Sequence, residues 1–266
     1  MKTKLTLALC LFLLVLTVGC QNVASLKPAT LPPPSPLPPP TLSPDSKLVA
    51  IYFDDAFRNQ YEEALPVLLK FGFRATFGVI TGSIGQGHDL MEYMDKKELK
   101  DLAQYGMEIA SHTQHHLSLT GNLSDQDLRQ EIFDSKRDLE EMGFGVFTLV
   151  YPFNEYNDKV IEYTREASYV CARAGWNNGG DYDLATTDPL ARYHVAAWQL
   201  SNQDMETFKL FINEASRTSV VCLVYHFISD NGPETTSVAV ADFSAQMSYL
   251  YENGYTVVLL SELLKP

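Results

Sequence analysis

The sequence predicts an α/β protein on a parallel sheet, either doubly wound or closed as a barrel, and three observations carry that prediction. Short apolar runs alternate with segments of three- and four-residue apolar spacing along residues 46–266, the pattern that parallel strands joined by helices produce. No Gly-x-Gly-x-x-Gly follows the first run, so nothing points to a dinucleotide-binding half. Paired aspartates, clustered histidines and a further histidine stand just past apolar runs, where a parallel barrel gathers its active site.

In chain order, residues 1–20 read as an export leader: two lysines, an apolar stretch from Leu5 to Val18, then small residues before Cys20. Val18-Gly19-Cys20 resembles a bacterial lipobox in which Cys20 is lipidated and becomes the membrane anchor, although Thr17 stands where leucine is usual. Ordinary secretion and an uncleaved anchor are the minority readings, and all three place the domain outside the cytoplasm. Residues 21–45 read as a linker, with nine of the chain's 14 prolines between Pro28 and Pro44. Such composition favours extended polyproline II, a tether reaching roughly 80 Å at about 3.1 Å per residue.

Residues 46–266 fit one domain. The expected strands are Lys47–Phe53, Ala75–Ile80, Met107–Ala110, Val146–Tyr151, Tyr169–Ala172, Val220–His226 and Tyr255–Leu260. The expected helices are Tyr61–Lys70, Lys96–Tyr105, Ser124–Met142, Asp158–Ala167, Asp204–Arg217 and Val240–Asn253, with Ser124 and Asp127 in capping-box position. The formal charge of −13 becomes −15 once Lys2 and Lys4 leave with the leader, which argues against nucleic acid and for a neutral or cationic substrate. Cys171 and Cys222 lie in strand-like runs and are expected as two buried free thiols.

Tyr52-Phe53-Asp54-Asp55 ends the first strand, and adjacent carboxylates there are costly without a purpose. A helix-capping pair is the bland reading; a division of labour between cation and proton is the sharp one. Ser111-His112-Thr113-Gln114-His115-His116 follows another strand, and His112 and His116, four apart, would share one face of a helical turn. With Asp55 they form a two-His, one-carboxylate set, suited to a hydrolytic metal or to non-haem iron. The strand–helix alternation disfavours the iron oxygenases. Pro152 stops the Val146–Tyr151 strand and leaves the Phe153 N–H free to polarise a carbonyl; His226 ends another strand, where a general acid would be wanted.

With these residues in hand the chain resembles the polysaccharide deacetylase family, the NodB-homology or carbohydrate esterase family 4 domain. Tyr52-Phe53-Asp54-Asp55 is similar to its first motif, His112-Thr113-x-x-His116 to its second, Tyr151-Pro152-Phe153 to its third and Leu223-x-x-His226 to its last. The resemblance implies a distorted (β/α) barrel with parallel strands and outer helices that removes N-acetyl groups from an N-acetylhexosamine polymer. It implies a divalent metal on Asp55, His112 and His116, Zn2+ by preference, with Co2+ or Ni2+ as alternatives. Asp54 would be the base and His226 the acid; Phe153, Tyr151, Trp176 and Leu223 would bind the oxyanion or substrate.

Two departures stand out. Many members carry a base-orienting arginine where this chain has Val150, and Arg192 is the expected substitute. The usual Asp-Trp pair is not evident, leaving Trp176 as a sugar wall and Asp181, Asp183 or Asp188 to orient His226. The lost arginine motivates one alternative, a catalytically impaired carbohydrate-binding module on the same fold.

Overall fold

A computed structural model of the chain describes residues 31–43, 45–88, 91–175, 180–202, 204–213 and 219–265. The leader, Cys20 and Trp176 lie outside them. Strand β1 (Lys47–Phe53) leads through a π-helical turn (Gln60–Ala64) into α1 (Leu65–Phe71) and β2 (Thr76–Val79). A small hairpin, β3 (Gly87–His88) and β4 (Met91–Glu92), precedes α2 (Lys96–Gln104) and β5 (Glu108–Ser111). Then come α3 (Asp125–Arg129), α4 (Ser135–Glu141), β6 (Thr148–Val150), α5 (Asp158–Glu166), β7 (Cys171–Arg173), β8 (Asp181–Asp183) and β9 (Trp198–Gln199). The chain ends with α6 (Met205–Asn213), β10 (Ser219–Tyr225), β11 (Phe227–Ile228), β12 (Ser237–Val238), α7 (Val240–Glu252), β13 (Tyr255–Val257) and α8 (Leu260–Leu264).

The main sheet runs β7-β6-β5-β2-β1-β10-β8, parallel throughout except where β8 meets β10. The sheet curls. Its two ends are bridged by residues 195–199: Val195 pairs with Arg173 beyond β7, while β9 pairs in parallel with β10. This short connection lacks the β-branched run that marks the other strands, and sequence periodicity did not reveal it. The barrel is therefore distorted where an irregular segment replaces a full strand.

Alternation sorts the side chains into two layers. Val49, Ile51 and Phe53 of β1 and Val221, Leu223 and Tyr225 of β10 face the helices. There Phe53 stacks on Phe77 and Tyr225 and meets Phe243 edge-on. Ala50, Tyr52, Cys171, Val220, Cys222 and Val224 fill the barrel, with Leu260 and Leu264 of α8 beside them. Cys171 and Cys222 are both free and buried, as expected. The Tyr255–Leu260 strand stops at Val257, because α8 begins at Leu260.

Part of the proline-rich segment belongs to the domain. Leu31 and Leu37 pack on the core, Leu37 N donates to Tyr105 O, and the Tyr105 hydroxyl donates to Pro32 O. The linker boundary at residue 45 therefore falls too late, and the described stretch 31–43 is not a free spacer.

Inside the barrel, Glu108 accepts 2.8 Å bonds from the Thr76 and Thr148 hydroxyls. Burial pushes its carboxyl above the ordinary range, outweighing those bonds. The folded chain thus holds this proton more tightly than the unfolded chain, so the contribution is full below the unfolded pKa and is lost as pH rises through the folded one. Glu108→Gln should therefore gain stability relative to the parent as pH rises from 4 to 7. Denaturant melts at both pH values check it; a pH-independent difference contradicts it.

Candidate active site

Each site residue stands where a strand of the barrel ends. Asp54 follows β1 with its N–H on Tyr225 O at 2.9 Å, and its buried carboxylate continues the interior row of Ala50 and Tyr52. One step on, Asp55 has φ +72° and Ala56 φ +59°, so the backbone turns left-handed. That turn, rather than strand alternation, separates the two carboxylates. Six of the eight non-glycine residues with positive φ among those described are Asp55, Ala56, Thr113, His116, Phe153 and Asn154. Backbone strain is concentrated at this mouth, as at many functional sites.

His112 Nε2 and His116 Nε2 lie 3.5 and 3.6 Å from Asp55 Oδ1. The expected helical turn is absent: residues 112–116 form a loop, and positive φ at Thr113 and His116 brings the rings together. Their centroids are 4.7 Å apart. His112 Nδ1 donates to Val150 O at 2.8 Å, which leaves its Nε2 lone pair facing Asp55. Gly78 makes room for this, since a Cβ there would lie 3.3 Å from Val150 Cγ2 and 3.4 Å from His112 Cβ. His115 faces away, with its Nδ1 and N–H both on the buried Glu131 carboxylate. Glu131 was not foreseen, and it also accepts from Gln114 N, fixing the loop.

The donor set fits a metal. Two imidazole nitrogens and one carboxylate oxygen lie within 4.8 Å of one another. Tetrahedral ligands at about 2.1 Å from an ion stand about 3.4 Å apart, close to the separations seen. Burial alone would lower the His112 pKa, but Asp55 and Asp54 raise it; burial and the neighbouring His112 lower that of His116.

The arginine beside Asp54 is Arg173, not the expected Arg192. Arg173 Nη2 contacts Asp54 Oδ2 at 2.5 Å, while its Nη1 donates to Asn154 Oδ1 at 2.7 Å and Ala174 O at 3.0 Å. Burial alone would raise the Asp54 carboxyl; Arg173, then His112 and His226, hold it below its ordinary value. Arg192 instead donates to Leu264 O at 3.1 Å, where α8 ends. Arg173 and Val150 are register partners on β7 and β6, so Arg173 stands one strand sideways from the position where the resemblance led one to expect an arginine. A charge ending the apolar run Tyr169–Ala172 was the signal for it. Gly175 accommodates Asn154, since a Cβ there would lie 2.2 Å from Asn154 Cγ.

His226 Nε2 lies 3.7 Å from Asp54 Oδ2. None of the three candidate aspartates bonds it among the described residues. Its buried Nδ1 has no partner there, Asp183 and Asp188 cap their own turns, and Asp181 lines a small cavity with Tyr156 and His194. Phe153 is 59% exposed, its ring edge-on to His116. The turn's bonds run from Asn154 N to Tyr151 O and from Glu155 N to Pro152 O, leaving the Phe153 N–H outside them. Two expected substrate contacts lie elsewhere. Tyr151 is buried, its hydroxyl on Tyr193 O and near Thr164, and Leu223 is buried on the helix-facing side of β10.

The family model described as polysaccharide deacetylase matches residues 41–172, which carry β1 through β6, the first two residues of β7 and the first three motifs. This chain carries a polysaccharide deacetylase family domain. It is 38% identical over 127 residues to YxkH of Bacillus subtilis (strain 168), covering 47% of this chain and 44% of that one. It is 30% identical over 130 residues to the poly-beta-1,6-N-acetyl-D-glucosamine N-deacetylase of Staphylococcus aureus (strain MRSA252), covering 45% and 44%. The chain thus spans under half the length of these two relatives. The solved structure of the Bacillus subtilis peptidoglycan deacetylase PdaC, in its D285S mutant form, shares the fold: TM-score 0.56, 19% identity, 84% of this chain and 92% of that one.

Proposed function

We propose that the protein is a metal-dependent N-deacetylase of an N-acetylhexosamine polymer, poly-N-acetylglucosamine, peptidoglycan glycan or chitin-like oligomers, working outside the cytoplasm on a lipid anchor at Cys20. The observation that carries the chemistry is the convergence of the Asp55–His112–His116 set with the Asp54–Arg173 pair and His226 at one mouth.

Asp55, His112 and His116 hold the ion, Zn2+ by preference, with Co2+ or Ni2+ as alternatives. When bound, it supplies Lewis acidity, polarising the acetamide carbonyl and making a neighbouring water more acidic. Asp54 takes the proton from the attacking water at its Oδ1, which is buried and has no partner among the described residues, while Arg173 keeps Oδ2 occupied and the group ionised. The Phe153 N–H donates to the developing oxyanion. His226 then gives a proton to the departing amine as the C–N bond breaks, releasing acetate and a free amino sugar. The exposed Phe153 ring offers an apolar face to a pyranose.

The alternative of a catalytically impaired carbohydrate-binding module was motivated by the lost motif arginine, and Arg173 beside Asp54 weakens that motive. Acetate release by the full chain from N-acetylglucosamine oligomers, with Zn2+, with Co2+ and with chelator, tests the proposal. Release abolished by chelator and restored by ion is expected. No release from any N-acetylated glycan, despite one bound ion per chain, would overturn it.

A further inference from the structure

Beyond the last ladder bond, Asp54 N to Tyr225 O, strands β1 and β10 part and their next carbonyls need donors. Both find the same one. Gln60 Nε2 donates to Asp54 O at 2.6 Å and to His226 O at 2.7 Å, and Gln60 is fully buried. A primary amide has two N–H groups, so the donor capacity is fully used and the opposite amide orientation would set oxygen against two oxygens. Gln60 Oε1 is buried without a partner among the described residues, a cost accepted to keep the amide here.

The neighbouring residues act in the same direction. Asn59 Oδ1 accepts from Ile228 N at 3.2 Å, and Phe57 stacks on Phe227 with centroids 4.0 Å apart. Gln60 opens the π-helical turn, an insertion that recurs at functional sites. Between them these residues bind the segment carrying Asp54 to the segment carrying His226.

We infer that Gln60, assisted by Asn59, is a positioning residue that sets the spacing between Asp54 and His226. The inference rests on the deacetylase reading for its kinetic consequence but not for its geometry. The nearest substitutes fail here: asparagine is one methylene shorter, and glutamate has no N–H to offer when ionised.

The test pairs Gln60→Met, which keeps shape without donors, with His226→Ala and the double variant. Gln60→Met should lower kcat about 10-fold or more, with KM and metal content nearly unchanged. In the His226→Ala background the same change should cost less than about 2-fold, because a residue acting through His226 has nothing left to place. Equal fold-losses in both backgrounds overturn the inference, as does an unchanged kcat. Asn59→Ala, a milder change, should show the same dependence on His226 if Gln60→Met does not fold. A crystal structure of the Gln60 or Asn59 variant gives a readout without turnover: Asp54 Oδ2 to His226 Nε2 should open beyond 3.7 Å while the Asp55–His112–His116 set stays in place. An unaltered separation overturns the clamp whether or not the parent is active. An inactive parent whose variant opens this gap would instead overturn the deacetylase reading alone.

Discussion

Replacing Arg173 with methionine should lower kcat for acetate release by about 100-fold or more and cost about 3–5 kcal/mol of stability, while the metal stays bound. Asp54 and Arg173 are both buried, with side chains 5% and 2% exposed, and breaking such a pair strands a charge away from water. The kinetic loss follows because Asp54 Oδ2 would lose its 2.5 Å partner, letting the carboxylate turn or take a proton. Arg173→Lys separates charge from geometry. An ammonium restores the charge but cannot reach Asp54, Asn154 and Ala174 together as the guanidinium fork does. Lysine should therefore recover more stability than turnover. Arg192→Met should leave kcat within about 2-fold, since its bond is to Leu264 O. Steady-state kinetics with denaturant melts on the three variants decide the matter; a larger kcat loss at Arg192 than at Arg173 would reverse the assignment.

The two arginines show how far the sequence could be read. The strands and helices of the barrel were legible because β1 and β10 are continuous apolar runs and the helices carry three- and four-residue apolar spacing, and motif order pointed to the Asp55–His112–His116 set. What sequence spacing cannot give is lateral register. That Arg173 lies beside Val150 depends on β6 and β7 pairing Val150 with Arg173, 23 positions apart in sequence. Arg192 was favoured on motif resemblance alone. Gln60 was invisible for a similar reason: its partners are backbone carbonyls of Asp54 and His226, 166 residues apart for the second bond. Backbone acceptors leave no residue-type signature. The histidine pair was found for a partly wrong reason, since left-handed turns rather than a helical face bring the rings together. The bridge at residues 195–199 carries too few residues for any period to emerge.

Asp54→Asn should keep its metal and lose about 1000-fold in kcat, whereas Asp55→Asn and His112→Ala should lose metal and activity together. The contrast comes from the backbone. A left-handed turn at Asp55 aims Oδ1 at the two imidazoles, while Asp54 faces Arg173 and His226 with Oδ1 unpaired among the described residues. Asparagine at 54 retains the shape and an acceptor for Arg173 but cannot accept the proton from water, removing a contribution of the size general bases supply. It also leaves the Arg173 charge uncompensated, so a fall in stability should accompany the kinetic loss and must be measured separately. At 55, the amide withdraws the charged oxygen from a three-ligand set, and at 112 truncation removes a nitrogen already oriented by Val150 O. Metal per chain after dialysis, measured by atomic emission, distinguishes the roles before any assay is run. Equal metal content in all three variants would dissolve the division between base and ligand, and metal loss in Asp54→Asn alone would invert it.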